Sequence, residues 1–212
     1  MDKRVGLLAG LLVLLLTPGA VAQPPSPEPP PWLGGRVEMP EYGFAVTVLD
    51  DWVAYDPASD ADSQVEAVSG LWDPAIRSVA ESKVRGNLAL AASAGIHLYS
   101  ANANGDTCLW MATPVSVVPA QDMADLLFAR YVDDPTARDV EPSLRVDLPA
   151  GPAHVVRMSR YDGLLDRWSP MSAYHLSMSE GVLLVVCTAG DARPDDDWLS
   201  IVEPVEFLPA KE

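Results

Sequence analysis

The chain is short of basic residues, cysteine and histidine. Its 212 residues include 14 lysines and arginines against 30 aspartates and glutamates, with two cysteines, three histidines and a net charge of -16. Nucleic-acid binding needs a basic face that neutralises phosphates, so this acidic surplus argues against a nucleic-acid partner. The 49% share of apolar residues is instead typical of a globular protein.

Motifs for catalysis and metal binding are also lacking. The sequence has no Gly-x-Ser-x-Gly nucleophile elbow, no glycine pattern for phosphates or dinucleotides, and no Cys-x-x-Cys or His-x-x-x-His spacing. His97, His154 and His175 each lie in an apolar run, which favours structural histidines over general bases. We therefore expect no catalytic residue, cofactor or metal. A hydrolase or metal-dependent enzyme whose site is assembled from dispersed residues remains the alternative.

Acidic residues crowd two stretches. Asp56, Asp60 and Asp62 lie in the polar loop 56–63, and three aspartates follow one another over 195–197. Grouped carboxylates can bind calcium, which needs six to eight oxygen ligands. Neither stretch has the ligand order of an EF-hand or its sixth-position glycine, so a solvated loop and a helix start are favoured. Calcium binding by these loops stays open.

A basic start and one apolar run mark the N-terminus. The 12-residue run 5–16 is broken at Pro18, and Ala20-Val21-Ala22 has the small-x-small form of a signal-peptidase site. About 20 apolar residues are needed to span a bilayer. The pattern therefore predicts a signal peptide over 1–22, with cleavage before Gln23.

The following segment is rich in proline. Six of the nine residues over 23–31 are proline, which favours an extended polyproline II spacer. We expect a linker over 23–35 and a single domain over 36–209. No cysteine lies near the cleavage point and no later run is long enough to span a bilayer, so we expect neither a lipoprotein anchor nor a transmembrane segment. The mature protein is expected to be secreted or to lie on the exterior of the cell envelope.

The two cysteines suggest a disulfide. Cys108 and Cys187 each lie in a strand-like run, and an even cysteine count in an exported chain favours pairing. Two buried free thiols are the alternative.

Hydrophobic patterning predicts many strands and few helices. Met123 and Leu127 belong to the apolar stripe of the clearest helix, over 121–131, and a second helix is expected from Asp73 to Gly86. Strand-like runs cover 44–49, 95–100, 107–112, 153–161, 172–178, 182–188 and 205–208. This succession indicates an α+β fold with an antiparallel sheet.

Three stretches resemble one known family. They are Met39–Trp52 (MPEYGFAVTVLDDW), Val146–Ala153 (VDLPAGPA) and the closing Trp198–Leu208. They look like the first hairpin, a turn into a long strand, and the last helix and strand of the PsbP/Mog-type fold family. Members include a photosystem extrinsic protein, a Ran-binding nuclear-transport factor and many exported bacterial proteins without assigned activity, and this chain is most similar to the last group. The resemblance implies an antiparallel sheet flanked by helices, an α-β-α sandwich, and no catalytic residues.

These observations favour an exported, non-enzymatic binding or accessory protein. Its partner is an unknown protein or envelope component, and the net charge favours a basic or neutral one whose binding weakens with salt. Aromatic side chains dominate interface hot spots, so we expect Trp168, in loop-like sequence, to contact the partner.

Overall fold

A computed structural model describes residues 30–75, 77–114, 118–162, 166–179, 181–190 and 198–209. The predicted signal peptide over 1–22, residues 23–29 of the predicted linker and the acidic run 195–197 lie outside the described residues.

Ten strands and four α-helices make up the described part of the chain. The strands are β1 (Trp32–Met39), β2 (Phe44–Tyr55), β3 (Leu98–Asn102), β4 (Thr107–Pro114), β5 (Ala137–Arg138), β6 (Leu144–Leu148), β7 (Gly151–Asp162), β8 (Arg167–Met178), β9 (Gly181–Thr188) and β10 (Val205–Phe207). The helices are α1 (Ala61–Val68), α2 (Arg77–Ser93), α3 (Ala120–Tyr131) and α4 (Leu199–Val202), with a 3-10 turn at Ser69–Leu71.

The boundary between linker and domain differs from the sequence expectation. Strand β1 begins at Trp32 and pairs with β2, so residues 32–35, expected to be linker, belong to the sheet. The two glycines in this stretch hide the strand from sequence patterning, because glycine is depleted in strands.

The strands form one antiparallel sheet in the order β1-β2-β3-β4-β9-β8-β7-β5, with β10 also on β2 and β6 also on β7. Strand β9 lies between β4 and β8, and its Val182, Leu183 and Val185 are buried. A central strand covered on both faces accommodates such a continuous apolar run.

The first hairpin folds over one face of this sheet. In a flat sheet, β2 and β8 would lie four strand spacings apart, or about 19 Å. A Cβ atom at Gly43, in the turn before β2, would nevertheless lie 3.1 Å from Met178 Cε near the end of β8. Phe44 also stacks on Trp110 of β4, with ring centroids 6.3 Å apart. The hairpin therefore forms a second layer over the sheet.

Glycine permits the bend in this hairpin. The β1–β2 register shifts between Leu33 and Gly35, and Gly34 has a φ of 72°. A Cβ atom at Gly34 would lie 3.3 Å from Asp50 Cα. Both the left-handed conformation and the close backbone approach favour a residue without a side chain.

The main core lies between the folded-over hairpin and the sheet. Its largest fully buried side chains come from both layers: Val37, Phe44, Val46, Leu98, Trp110, Tyr174, Leu176 and Leu183. Burying one such apolar side chain contributes about 1.5–3 kcal/mol. Helix α4 and β10 complete this layer, and Trp198 meets Trp52 edge-on with ring centroids 6.4 Å apart.

The longer helices cover the opposite face. Tyr55, Leu88 and Tyr99 belong to a cluster beneath α1 and α2, whereas Ala124 and Val156 belong to one between α3 and the β7–β8 pair. The expected antiparallel sheet is confirmed, and helices flank it only partially: the longer helices lie on one face, while strands and the short α4 cover the other. Among the described helices, none is long and apolar enough to cross a membrane.

The predicted disulfide is confirmed. Cys108 on β4 and Cys187 on β9 are directly opposite each other, with Cα atoms 4.1 Å apart, and are bonded through their sulfur atoms. Both are fully buried in the main core, and because they are bonded to each other the free-thiol alternative is wrong.

Candidate functional site

Three large side chains meet at one end of the β7–β8 pair, two of them on these strands and one on β5. Strand β9 ends at Thr188, opposite Met171, and Ala189 N still donates to Pro170 O at 3.0 Å, so Tyr161 and Trp168 lie beyond the last β8–β9 pair. We call Arg138, Tyr161 and Trp168, which meet at this end, the Arg–aromatic platform.

Strand pairing brings the platform residues together. Tyr161 and Trp168 are directly opposite each other on β7 and β8, and Arg138 of β5 is opposite Ser159 of β7. Paired residues point to the same face, and residues two apart along a strand share a face. All three platform side chains therefore lie on one face, with the small Ser159 between Arg138 and Trp168.

The platform is a stack of a cation and two rings. The Arg138 guanidinium lies 4.5 Å from the centroid of the Trp168 ring. The Tyr161 and Trp168 rings are 5.5 Å apart at an interplanar angle of 58°. Trp168 is half-buried, whereas Tyr161 is 41% exposed. An exposed cation–π contact contributes about 0.5–1 kcal/mol, so the stack orients the side chains but can be displaced.

Two aspartates hold the edges of the platform. Asp139 Oδ2 lies 3.4 Å from Arg138 Nε, and the Tyr161 hydroxyl donates to Asp166 Oδ1, which raises the pKa of that hydroxyl. Asp139 and Asp166 are the only non-glycine residues with positive φ in the described part of the chain. Unfavourable backbone conformations cluster at binding and catalytic sites, and both of these flank the platform.

A further arginine lies beside the platform on the same face. Arg157 is two residues before Ser159 on β7, which makes it a diagonal neighbour of Arg138 with Cα atoms about 7–8 Å away. Within the described ranges, its guanidinium has no hydrogen-bond or ion-pair partner. Arg157 is opposite the buried Ser172, so it lies between the core end of β7 and the platform.

A second contact of this kind lies on the helix-covered face. Arg160 Nη1 donates to the Tyr131 hydroxyl at 3.1 Å, and its guanidinium lies 4.9 Å from the Tyr131 ring centroid. Arg130 lies over the same ring at 5.5 Å. Hydrogen bonds from Thr136 are the main cause of the lowered pKa of Asp134, and the positive charges of Arg160 and Arg130 lower this pKa further. This contact fixes α3 on β7 rather than extending the platform.

The histidines are dispersed between two regions. Ala112 O lies 3.1 Å from His97 Nε2, and the His97 ring stacks on Tyr42 at 3.6 Å. His154 and His175 are paired on β7 and β8, where His154 O lies 3.3 Å from His175 Nδ1. His175 is buried, and desolvation lowers its pKa. The ring contacts of His97 and His175 are typical of structural histidines.

The carboxylates of the first acidic loop bond within the loop and to α2. Asp56 accepts from Ala58 N and the Ser59 hydroxyl, and Asp60 caps α1 by accepting from Ser63 N at 2.8 Å. Asp62 pairs with Arg85 of α2. In the described part of the chain, no three His, Cys, Asp or Glu side chains are grouped as metal ligands.

Sequence reasoning found one platform residue out of three. Trp168 was singled out, although it lies in β8 rather than in a loop. Arg138 and Tyr161 were missed because their contact with Trp168 depends on β5–β7 and β7–β8 pairing. The expected strands 153–161 and 172–178 leave Trp168 in their connection, so only an extension of the second strand back to Trp168 would have placed it opposite Tyr161 in a hairpin.

No protein-family model matches the chain, and no curated protein matches it. Among solved structures, the chain is similar to the cyanobacterial PsbP protein (CyanoP) of Synechocystis, with 8% identity over 83% of this chain and 94% of that protein and a TM-score of 0.47. It is also similar to the T6SS immunity protein TplEi of Pseudomonas aeruginosa, with 7% identity over 80% of this chain and 96% of that protein and a TM-score of 0.42.

Proposed function

We propose that the chain is a non-enzymatic binding or accessory protein whose partner docks on the Arg–aromatic platform. The observation that carries this proposal is the stacking of Arg138 and Tyr161 on Trp168 at one end of the β7–β8 pair. Trp, Tyr and Arg are the residues most enriched at interface hot spots.

The positions of the platform side chains favour this role. The strands of Tyr161 and Trp168 continue into the main core, where Ala153, Val155 and Leu176 are fully buried. A contact surface built on such strands is held more firmly than one on a loop. Firm positioning lowers the entropic cost of binding, because fewer rotamers are lost.

We further propose that the protein acts outside the cytoplasm, secreted or on the exterior of the cell envelope. The Cys108–Cys187 disulfide supports an oxidising compartment, since disulfides are rare where thiols are kept reduced. The predicted signal peptide over 1–22 supports export. N-terminal sequencing of secreted protein should return Gln23, and recovery of Met1 would contradict cleavage.

Membership of the PsbP/Mog-type family is part of the proposal. Its support is the position of the three resembling stretches. Met39–Trp52 supplies the turn and second strand of the first hairpin, Val146–Ala153 turns from β6 into the long β7, and Trp198–Leu208 contains α4 and β10. This family proposal concerns the fold and assigns no ligand.

The test is capture of a partner from the exported proteins of the producing organism. The mature chain is immobilised and crosslinked, and bound proteins are identified by mass spectrometry. We expect at least one partner to be retained by the wild type and lost with Trp168→Ala. The matched control is Trp72→Ala, because Trp72 is also half-buried but packs against the cluster beneath α1 and α2.

Two outcomes would overturn the proposal. Equal retention of every partner by Trp168→Ala would remove the platform as the contact surface. Turnover of an ester, peptide or glycoside by the purified protein would contradict a non-enzymatic role. Circular dichroism of both variants separates loss of contact from loss of fold.

A further inference from the structure

We propose that the platform receives an acidic peptide segment of the partner, with a carboxylate held by Arg138 and Arg157 and neighbouring apolar atoms on Tyr161 and Trp168. This inference rests on the proposed function and specifies the chemistry of its partner.

Arg138 is prepared to bind a carboxylate. Its guanidinium lies over the Trp168 ring, so the ring fixes the orientation of the guanidinium while its N–H donors remain at the edge. Asp139 lies 3.4 Å from Nε, and no described residue accepts a hydrogen bond from the two Nη atoms. Two parallel N–H groups match the two oxygens of a carboxylate, which is the geometry of strong bidentate pairs.

Arg157 supplies the second cation. Its Cα lies about 7–8 Å from that of Arg138, a separation that two arginine side chains span easily when they converge on one anion. Its half-buried position beside the core reduces solvent screening, which strengthens a charge pair there relative to one at the open surface.

Three described carboxylates of this region make contacts other than with the Nη atoms of Arg138. Asp166 accepts from the Tyr161 hydroxyl, and Asp139 lies on the Nε side of Arg138. Asp134 accepts from the backbone and hydroxyl of Thr136. An incoming carboxylate would therefore reach N–H donors of Arg138 and Arg157 that bond to no described residue.

The local chemistry and the overall charge favour different partners. A net charge of -16 favours a basic or neutral partner, whose association slows as salt screens the attraction. An acidic segment is attracted by the platform but repelled by the rest of the surface. For such a partner, salt screens the long-range repulsion, so its association rate should rise when salt is first added.

The first experiment uses two blocked peptides as probes, Ac-Glu-Pro-Glu-Pro-Glu-NH2 and Ac-Gln-Pro-Gln-Pro-Gln-NH2. Each is titrated into the full mature chain labelled with 15N, and the indole N–H resonance of Trp168 is followed after assignment by its loss in Trp168→Phe. We expect a saturable shift with the Glu peptide and at least about tenfold weaker binding of the Gln peptide, because a neutral amide cannot form the charge-assisted hydrogen bonds that a carboxylate forms with arginine.

Matched arginine variants locate the binding site. Arg138→Gln and Arg157→Gln should each weaken binding of the Glu peptide at least about fivefold. Arg145→Gln should leave its affinity unchanged, because Arg145 is an exposed arginine of β6 that pairs with Asp147 away from the platform. All three substitutions remove one positive charge, so the control separates local contact from a change in net charge.

Equal shifts with both peptides, no shift with either, or equal weakening by all three arginine variants would overturn the inference. Suppose that a partner captured by the wild type is lost with Trp168→Ala but retained by Arg138→Gln and Arg157→Gln. That result would overturn the acidic-segment inference, while the proposed function would stand. A partner retained by Trp168→Ala would remove the proposed function itself.

Discussion

The two ends of the β7–β8 pair have the same backbone pairing but opposite surroundings. At one end, Val155 and Tyr174 are paired and lie in the main core. At the other end, Tyr161 and Trp168 are paired and partly exposed. The difference comes from their neighbours, because the first hairpin packs over the core end, whereas the pairing of β8 with β9 ends at Met171, before Trp168 is reached. Burial, rather than strand pairing, therefore separates residues that stabilise the protein from those available for contact.

The largest effect is expected from breaking the link between β4 and β9. Replacing both Cys108 and Cys187 by alanine should lower the free energy of unfolding by about 4 kcal/mol, because the bond closes 79 residues of chain. Urea unfolding under oxidising conditions measures the change. Wild-type protein unfolded in a reductant should give a similar loss, and equal midpoints for oxidised and reduced protein would contradict the prediction.

The next effect tests the core end of β8. Leu176→Ala should lower the free energy of unfolding by about 3 kcal/mol, because the side chain is 1% exposed and its loss leaves a cavity. Chemical denaturation gives the value directly. A cost below about 1 kcal/mol would show that this end of the strand is less tightly packed than its burial indicates.

Trp168→Ala, on the same strand, tests the platform end. It should cost only about 1 kcal/mol of stability, because the half-buried ring contacts an exposed arginine and a partly exposed tyrosine. Partner binding should be lost despite this small cost. A destabilisation equal to that of Leu176→Ala would mean that the platform belongs to the core.

The smallest effect concerns pH. Burial lowers the pKa of His175 below its ordinary value, so the unfolded chain takes up a proton at a higher pH than the folded one. Stability should therefore be greatest above pH about 6.5 and fall as the pH drops from there towards the lowered pKa. Denaturation midpoints of wild type and His175→Asn at several pH values report this contribution. If both proteins showed the same pH dependence, the loss of stability at low pH would come from titratable groups other than His175.

Elements with strong local patterns were predictable from the sequence. The stripe of Met123 and Leu127 predicted 121–131, and α3 spans Ala120–Tyr131. Helix α2 was expected to end at Gly86 but continues to Ser93, because Leu88 and Ala91 beyond it are buried against the sheet. Tertiary packing thus outweighed the roughly 1 kcal/mol cost of a helical glycine.

Elements specified by distant contacts were not predictable. Helix α1 lies in what the sequence presents as a polar loop, and its existence depends on the Asp60 cap and on burial of Val65 and Val68 beneath it. The two-residue β5 has no pattern of its own and exists through pairing with β7. The platform depends on that pairing, so a local reading could find Trp168 but not the arginine stacked on it.

The pairing of β9 with β4 shows how one strand alignment is selected among several. In strands with one apolar face, a slip of one residue exposes the core face, so alternation itself fixes the pairing. The run Val182–Val186 is apolar on both faces, and a slipped alignment with β4 would still bury apolar side chains. A disulfide forms only when its cysteines face each other. Hydrophobicity alone does not decide between alignments of β9 with β4. Oxidation of Cys108 and Cys187 therefore selects the alignment in which the two cysteines are opposite each other.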